Sequence, residues 1–149
     1  MSNLVLELRQ GDMMVVNGAA IRFRNRTRIE LTAQARFLFG RQIMPPQEAD
    51  TPARRIYYAL QTAYIGEDSE RLAGLDEARL RVAEFQQATT SEMARALLRQ
   101  AIAYAECGRC YQALRLAKRV VQHEDAILNR PRKALPRMHA EVCAEPVGA

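Results

Sequence analysis

Residues 13–23 read Met13-Met14-Val15-Val16-Asn17-Gly18-Ala19-Ala20-Ile21-Arg22-Phe23. Asn-Gly between two apolar runs is the strongest short-range hairpin signal, because a two-residue type I′ turn needs positive φ at both central positions. Such a turn pairs Val16 with Ala19 and Met14 with Ile21. It also puts Met14, Val16, Ile21 and Phe23 on one face, as a core requires.

Upstream of this hairpin, Leu4, Leu6 and Leu8 alternate with Val5, Glu7 and Arg9, the period-2 pattern of a half-buried strand, and Gln10-Gly11-Asp12 reads as a turn. Downstream, strands over 20–24 and 28–32 are expected to pair around a three-residue loop, Asn25-Arg26-Thr27. Only that length sets Phe23 opposite Ile29 and Ile21 opposite Leu31. It also sets Arg22 opposite Glu30 and Arg24 opposite Arg28, with Arg26 at the loop tip. A fifth strand, 36–41, carries Phe37 and Phe39 and ends in Gly40-Arg41. Pro45-Pro46 closes the β region, since proline suits neither a sheet ladder nor a helix interior.

Helical periodicity follows. Thr51 before Pro52 reads as an N-cap with proline at the first helical position. Ile56, Ala59, Leu60, Ala63 and Tyr64 then form one stripe, ended by Gly66. Leu72, Leu75, Ala78, Val82 and Phe85 form a second, weakened by Gly74. Thr89 and Glu92 have capping-box spacing ahead of Leu97, Leu98, Ala101, Ile102 and Ala105. After Gly108 a last stripe runs through Leu114, Ala117 and Val121. The expected fold is therefore α+β: a small N-terminal antiparallel unit of about five strands (1–44), then about four helices (45–128), then a poorly ordered basic, proline-containing tail (129–149).

A chain of 149 residues can bury roughly 68–70% of its unfolded surface, enough for one core. With 48% apolar and 26% charged residues, the composition is that of a globular protein. No run of 18 apolar residues and no secretory leader pattern is present, so neither a membrane partner nor secretion is expected. Three cysteines fit a reducing cytoplasm better than a disulfide framework. Two histidines with no paired motif give no support to a catalytic class.

The +5 charge is unevenly placed. Residues 1–44 carry seven arginines (9, 22, 24, 26, 28, 36 and 41) against Glu7, Asp12 and Glu30, a net of +4, while 45–128 are net −1 and 129–149 net +2. A basic segment made entirely of arginine suits phosphates and base edges, which the planar guanidinium engages with two donors. Solvated strand faces would account for the same excess in an ordinary soluble domain. Arg54 and Arg55 beside Tyr57-Tyr58 extend the candidate surface, because tyrosines can stack on bases, although at helical spacing one of the two belongs in the core. Arg130, Arg132, Lys133 and Arg137 in the tail could add nonspecific phosphate attraction.

Cys107-Gly108-Arg109-Cys110 is a C-x-x-C falling between two helical stripes. A redox pair of this kind follows a strand and opens a helix, and a zinc site wants two more ligands at matching spacing, which Cys143, His123 and His139 do not supply. No metal and no cofactor is expected. Ala105, Gly108, Tyr111, Ala113, Leu114 and Ala117 are similar to half of a tetratricopeptide-type hairpin, with small residues allowing close approach. Only one such unit is visible, and arrays need about three.

Three stretches resemble the FlbT family, the flagellum biosynthesis repressors of alphaproteobacteria: Leu6-Glu7-Leu8-Arg9-x-Gly11-Asp12, Val15-Val16-Asn17-Gly18-Ala19-x-Ile21-Arg22, and Asp50-Thr51-Pro52-Ala53-Arg54-Arg55-Ile56-Tyr57-Tyr58-Ala59-Leu60-Gln61. The resemblance spans about residues 3–128, and Cys107 and Cys110 lie outside its pattern. It implies a non-enzymatic regulator that binds the 5′ untranslated region of flagellin mRNA and promotes its decay or blocks translation, acting with the small flagellar protein FlaF. The family pattern transfers no binding residues, so the candidate RNA contacts come from the arginines: Arg9, Arg22, Arg24, Arg26, Arg28, Arg41, Arg54 and Arg55.

The first 40 or so residues are also similar, in strand order and turn placement, to the carbon storage regulator family. Those proteins are intertwined dimers that bind GGA-containing loops. This likeness implies RNA-contacting edges at Arg41 and the Leu4–Arg9 strand, and makes a homo-oligomer one of the expected arrangements; the long helices that follow depart from it. The competing expectation is a helical adaptor that binds flagellar proteins, with the β unit serving only stability or self-association.

Overall fold

A computed structural model describes residues 4–128; the expected tail, with Arg130, Arg132, Lys133, Arg137, His139 and Cys143, lies outside the described residues. Five strands come first: β1 (Leu4–Leu8), β2 (Met13–Val16), β3 (Ala19–Arg22), β4 (Thr27–Leu31) and β5 (Phe37–Phe39). Two short 3-10 turns lead into four helices, α1 (Pro52–Ile65), α2 (Asp68–Ala88), α3 (Glu92–Glu106) and α4 (Cys110–Ile127).

The Asn17-Gly18 hairpin forms in the expected register, Met14 opposite Ile21 and Val16 opposite Ala19. Asn17 sits at φ 48° and Gly18 at φ 88°, as a type I′ turn demands. The next expectation is overturned. β4 does not turn back onto β3; it pairs with β1, setting Leu6 opposite Ile29 and Glu7 opposite Arg28. The expected Phe23–Ile29, Arg24–Arg28 and Arg22–Glu30 pairs are therefore absent, and Arg22 lies opposite Met13 instead.

The two ladders share one register. Leu8 faces Thr27 and Met13 faces Arg22, so five steps forward along one strand match five steps back along the other. Between them the Phe23 N–H donates to the Asp12 carbonyl (2.9 Å) and the Gly11 N–H to the Phe23 carbonyl (2.7 Å), carrying the pairing across the gap. Residues 4–31 are thus a single long hairpin, bent sharply where segments 9–12 and 23–26 run side by side. Gly11, at φ 88°, supplies the left-handed residue of this elbow.

The bend folds one half of the hairpin over the other. Leu6 and Leu8 from β1 bury against Met14 from β2 and Phe37 and Phe39 from β5, which joins the far side of β2. Leu38 and Val15 point the other way, into the helical core. The β3–β2–β5 sheet is therefore a middle layer between the β1–β4 ladder and the helices. Ile21, expected inside, is 40% exposed because β3 is an edge strand with nothing across from it among the described residues.

The helices pack as two antiparallel hairpins. The Thr51 hydroxyl caps α1 as expected, accepting from the Arg54 N–H (3.3 Å). Ser91, not Thr89, caps α3: its hydroxyl accepts from the Ala94 N–H (3.2 Å), while the Thr89 hydroxyl accepts from the Ser91 N–H. In α2 Ala78 and Val82 are buried and Leu75 and Phe85 are half-buried against the helical core, as expected, but Leu72 is 76% exposed, and Gly74 is the buried residue of that turn. Ala101, Ala105, Ala113 and Ala117 are all buried at the α3–α4 contact, where small side chains let helix axes approach. Tyr111 is buried beside Tyr64, the ring centroids 5.8 Å apart.

Candidate nucleic-acid interface

The elbow of the long hairpin gathers arginine. Arg9 opens its first segment, Arg22 ends the strand leading into its second, and Arg24 and Arg26 flank Asn25 within that segment. All four are exposed, and among the described residues none of their guanidinium groups has a hydrogen bond or an ion pair. The one acid there, Asp12, turns a carboxylate oxygen inward to accept from the Arg9 backbone N–H (2.8 Å). The Thr27 hydroxyl donates to the Asn25 carbonyl (2.8 Å), tying down the second segment. The elbow therefore presents four unpaired cations on backbone that is itself held by hydrogen bonds.

The other candidates are placed differently. The Arg28 guanidinium meets the Glu7 carboxylate across the β1–β4 ladder at 2.9 Å, so the expected cluster with Arg24 is dissolved by an acid that local reading had not set beside it. Arg41 lies beyond β5, in the 3-10 turn 40–42, rather than at a strand end, because β5 stops at Phe39. Arg55 is exposed on α1, beside Phe85 and Arg81 at a cleft of about 340 Å³. Arg109, Arg99 and Arg119 are likewise exposed, but scattered over other elements.

Arg54 is committed elsewhere. One of its terminal nitrogens reaches both oxygens of Asp125 at 3.1 Å, with the two side chains only 19% and 9% exposed. Beside it the Ala53 N–H donates to Glu124 (3.1 Å), so α4 supplies the acids that complete the N-terminus of α1. The opposite end of α1 is closed by cations: Arg36 donates to the Tyr64 carbonyl and Arg71 to the Ala63 carbonyl, each at 3.1 Å. Arg36, counted with the N-terminal arginines, is thus a helix-end partner. Tyr57 is buried with its hydroxyl donating to the Gln42 carbonyl (2.6 Å), which removes it from any stacking surface.

Cys107 ends α3 and Cys110 begins α4, so the C-x-x-C spans a helix-hairpin connection. Burial pushes the Cys110 thiol up, disfavouring the thiolate that redox exchange or metal ligation needs. Nothing in the sequence flagged the Glu7–Arg28 pairing; alternation alone states which face a residue takes, not which strand lies opposite.

Comparison with known proteins gives the same family across nearly all of this region. A family model described as "Flagellar protein FlbT" matches residues 4–128. A probable flagellum biosynthesis repressor protein FlbT of Allorhizobium ampelinum is 26% identical over 133 residues, covering 89% of either chain. Proteins of the same description from Brucella abortus and Brucella ovis are each 29% identical over 110 residues, covering 74% of this chain and 72% of their own. No solved structure matches.

Proposed function

The chain belongs to the FlbT family, and we propose that it represses flagellum biosynthesis after transcription, by binding the 5′ untranslated leader of flagellin mRNA at the arginine elbow. A regulatory role follows from the family and from relatives named as flagellum biosynthesis repressors. The RNA step rests on one observation: Arg9, Arg22, Arg24 and Arg26 crowd one bend, exposed and without partners among the described residues, while Arg28, Arg36, Arg54, Arg71, Arg79, Arg81 and Arg95 all have carboxylate or carbonyl partners. Like charges held together on fixed backbone repel one another unless a polyanion neutralises them. Guanidinium groups at a bend suit the splayed phosphates and base edges of a single-stranded loop better than a regular duplex. Message loss then follows from blocked translation or a recruited nuclease, with FlaF as co-regulator.

The test is a gel shift with flagellin leader RNA over a series of salt concentrations, with and without FlaF. Affinity is expected to fall steeply as salt rises, as release of counterions from phosphates requires. A helical adaptor is the competing reading, favoured by Leu72 and Leu80, 76% and 54% exposed on α2. Absence of RNA affinity even with FlaF, together with salt-insensitive binding to a flagellar protein, would establish it instead.

A further inference from the structure

We infer that the chain self-associates through the open edge of β4, two copies pairing antiparallel about Ile29 to make a sheet in the order β1–β4–β4–β1. The β1–β4 ladder is only two strands wide, and among the described residues nothing pairs with the second edge of β4. An unpaired edge offers every second N–H and carbonyl to another strand. The residues on this edge read Thr27-Arg28-Ile29-Glu30-Leu31, which is charge-complementary to its own reverse. With Ile29 opposite Ile29, each Arg28 faces the Glu30 of the other copy, and each Thr27 faces a Leu31.

Only this register works. Slipping by two residues in one direction sets Arg28 against Arg28, and in the other direction Glu30 against Glu30. A slip of one residue puts the charges on the apolar face. The other open edges among the described residues lack the property: β3 carries one charge, Arg22, β1 carries one, Glu7, and β5 carries none.

Both faces of the extended sheet would be continuous. On the inner face Ile29 and Leu31 are each half-buried against the small core of Leu6, Leu8, Met14, Phe37 and Phe39; Ile29 would meet its equivalent and Leu31 would pack against the Thr27 of the second copy, closing off that flank. On the outer face Arg28, already 2.9 Å from Glu7, would lie between that carboxylate and the Glu30 of the second copy. Glu30 is engaged within its own chain as well, so the contacts between copies extend a network already present. A five-residue strand buries little area, so a reversible, concentration-dependent dimer is expected rather than a permanent one.

Sedimentation of the full chain over a concentration series tests this. Wild type should move from monomer to dimer. Glu30→Arg leaves the Arg28–Glu7 pair in place but sets like charges across the dimer axis, and should be monomeric throughout. Arg28→Glu, made together with Glu7→Arg so that the cross-strand pair survives reversed, should be monomeric for the same reason. Mixing these two folded monomers should restore a dimer, because each then supplies the charges the other lacks. A wild type that stays monomeric at every concentration overturns the inference, as does a charge variant that dimerises like wild type or a mixture that does not associate. Circular dichroism confirms that each variant is folded.

Discussion

Gly74 on α2 lies so close to Ala63 on α1 that a Cβ built on it would come 2.8 Å from the Ala63 amide nitrogen and 3.1 Å from the Ala59 carbonyl oxygen. Both neighbours are helix backbone and cannot step aside as a side chain could. Gly74→Ala should therefore destabilise the protein by about 1–3 kcal/mol in urea unfolding, although alanine is the better helix former by about 1 kcal/mol. A variant as stable as wild type would mean that the helices can separate there freely.

Asp125→Ala should cost about 3 kcal/mol, because it strands the buried Arg54 charge at the start of α1. Replacing both partners, Arg54→Met with Asp125→Leu, should cost much less than Asp125→Ala alone. Equal losses for the two variants, again by urea unfolding, would show that the pair is not the source of the effect.

The elbow arginines should separate binding from stability. Arg9→Ala, Arg22→Ala, Arg24→Ala and Arg26→Ala are each expected to change stability by less than about 0.5 kcal/mol, since each side chain is exposed and unpaired among the described residues. Each should weaken leader RNA binding, and one that touches only phosphate should flatten the salt slope by about one unit. A residue that reads a guanine edge should instead cost ~1–3 kcal/mol for the cognate leader alone. Arg54→Ala should do the reverse, lowering stability while leaving the salt slope of the folded fraction unchanged.

Alkaline pH should unfold the chain through its buried phenols. Burial is the main reason that the Tyr57 and Tyr64 hydroxyls are held well above their ordinary value of 10.0. Both stay neutral in the fold while the unfolded chain ionises near pH 10, so stability from this source is full below that pH and falls as pH climbs past it. Tyr57→Phe should shallow this fall while costing about 1 kcal/mol at neutral pH, the bond to Gln42 being lost. Unfolding curves for the two proteins that stay parallel from pH 8 to 11 would contradict the assignment.

What was legible in the sequence was what neighbours along the chain decide. Asn17-Gly18 dictates its turn by φ alone, Thr51-Pro52 starts a helix by hydrogen-bond supply, and the alternation of Leu4, Leu6 and Leu8 names the buried face of β1. The partner of β4 was not legible. Ile21, Phe23, Ile29 and Leu31 keep the same alternation whether the chain turns at Asn25 or continues through an elbow, so periodicity could not choose between the two. The arginine excess was visible by counting. Which arginines are unpaired depended on Glu7 and Asp125, brought in from 21 and 71 residues away. Gly74 misled for a related reason: helix propensity scores it as a weak point, and only the crossing of α1 reveals the space it saves.

The single register of the long hairpin has a kinetic consequence. A two-residue turn closes in about 1–10 μs, and from it each further pair is added next to one already formed. Leu4 therefore finds Leu31 by zipping outward from Gly18, without the entropy of closing a long loop in one step. Doubling over at the elbow comes later, because Leu6 and Leu8 gain their burial only once Phe37 and Phe39 have arrived. Gly18→Ala, which strains the turn at φ 88°, should accordingly slow refolding far more than it speeds unfolding, a partition that stopped-flow chevrons would reveal.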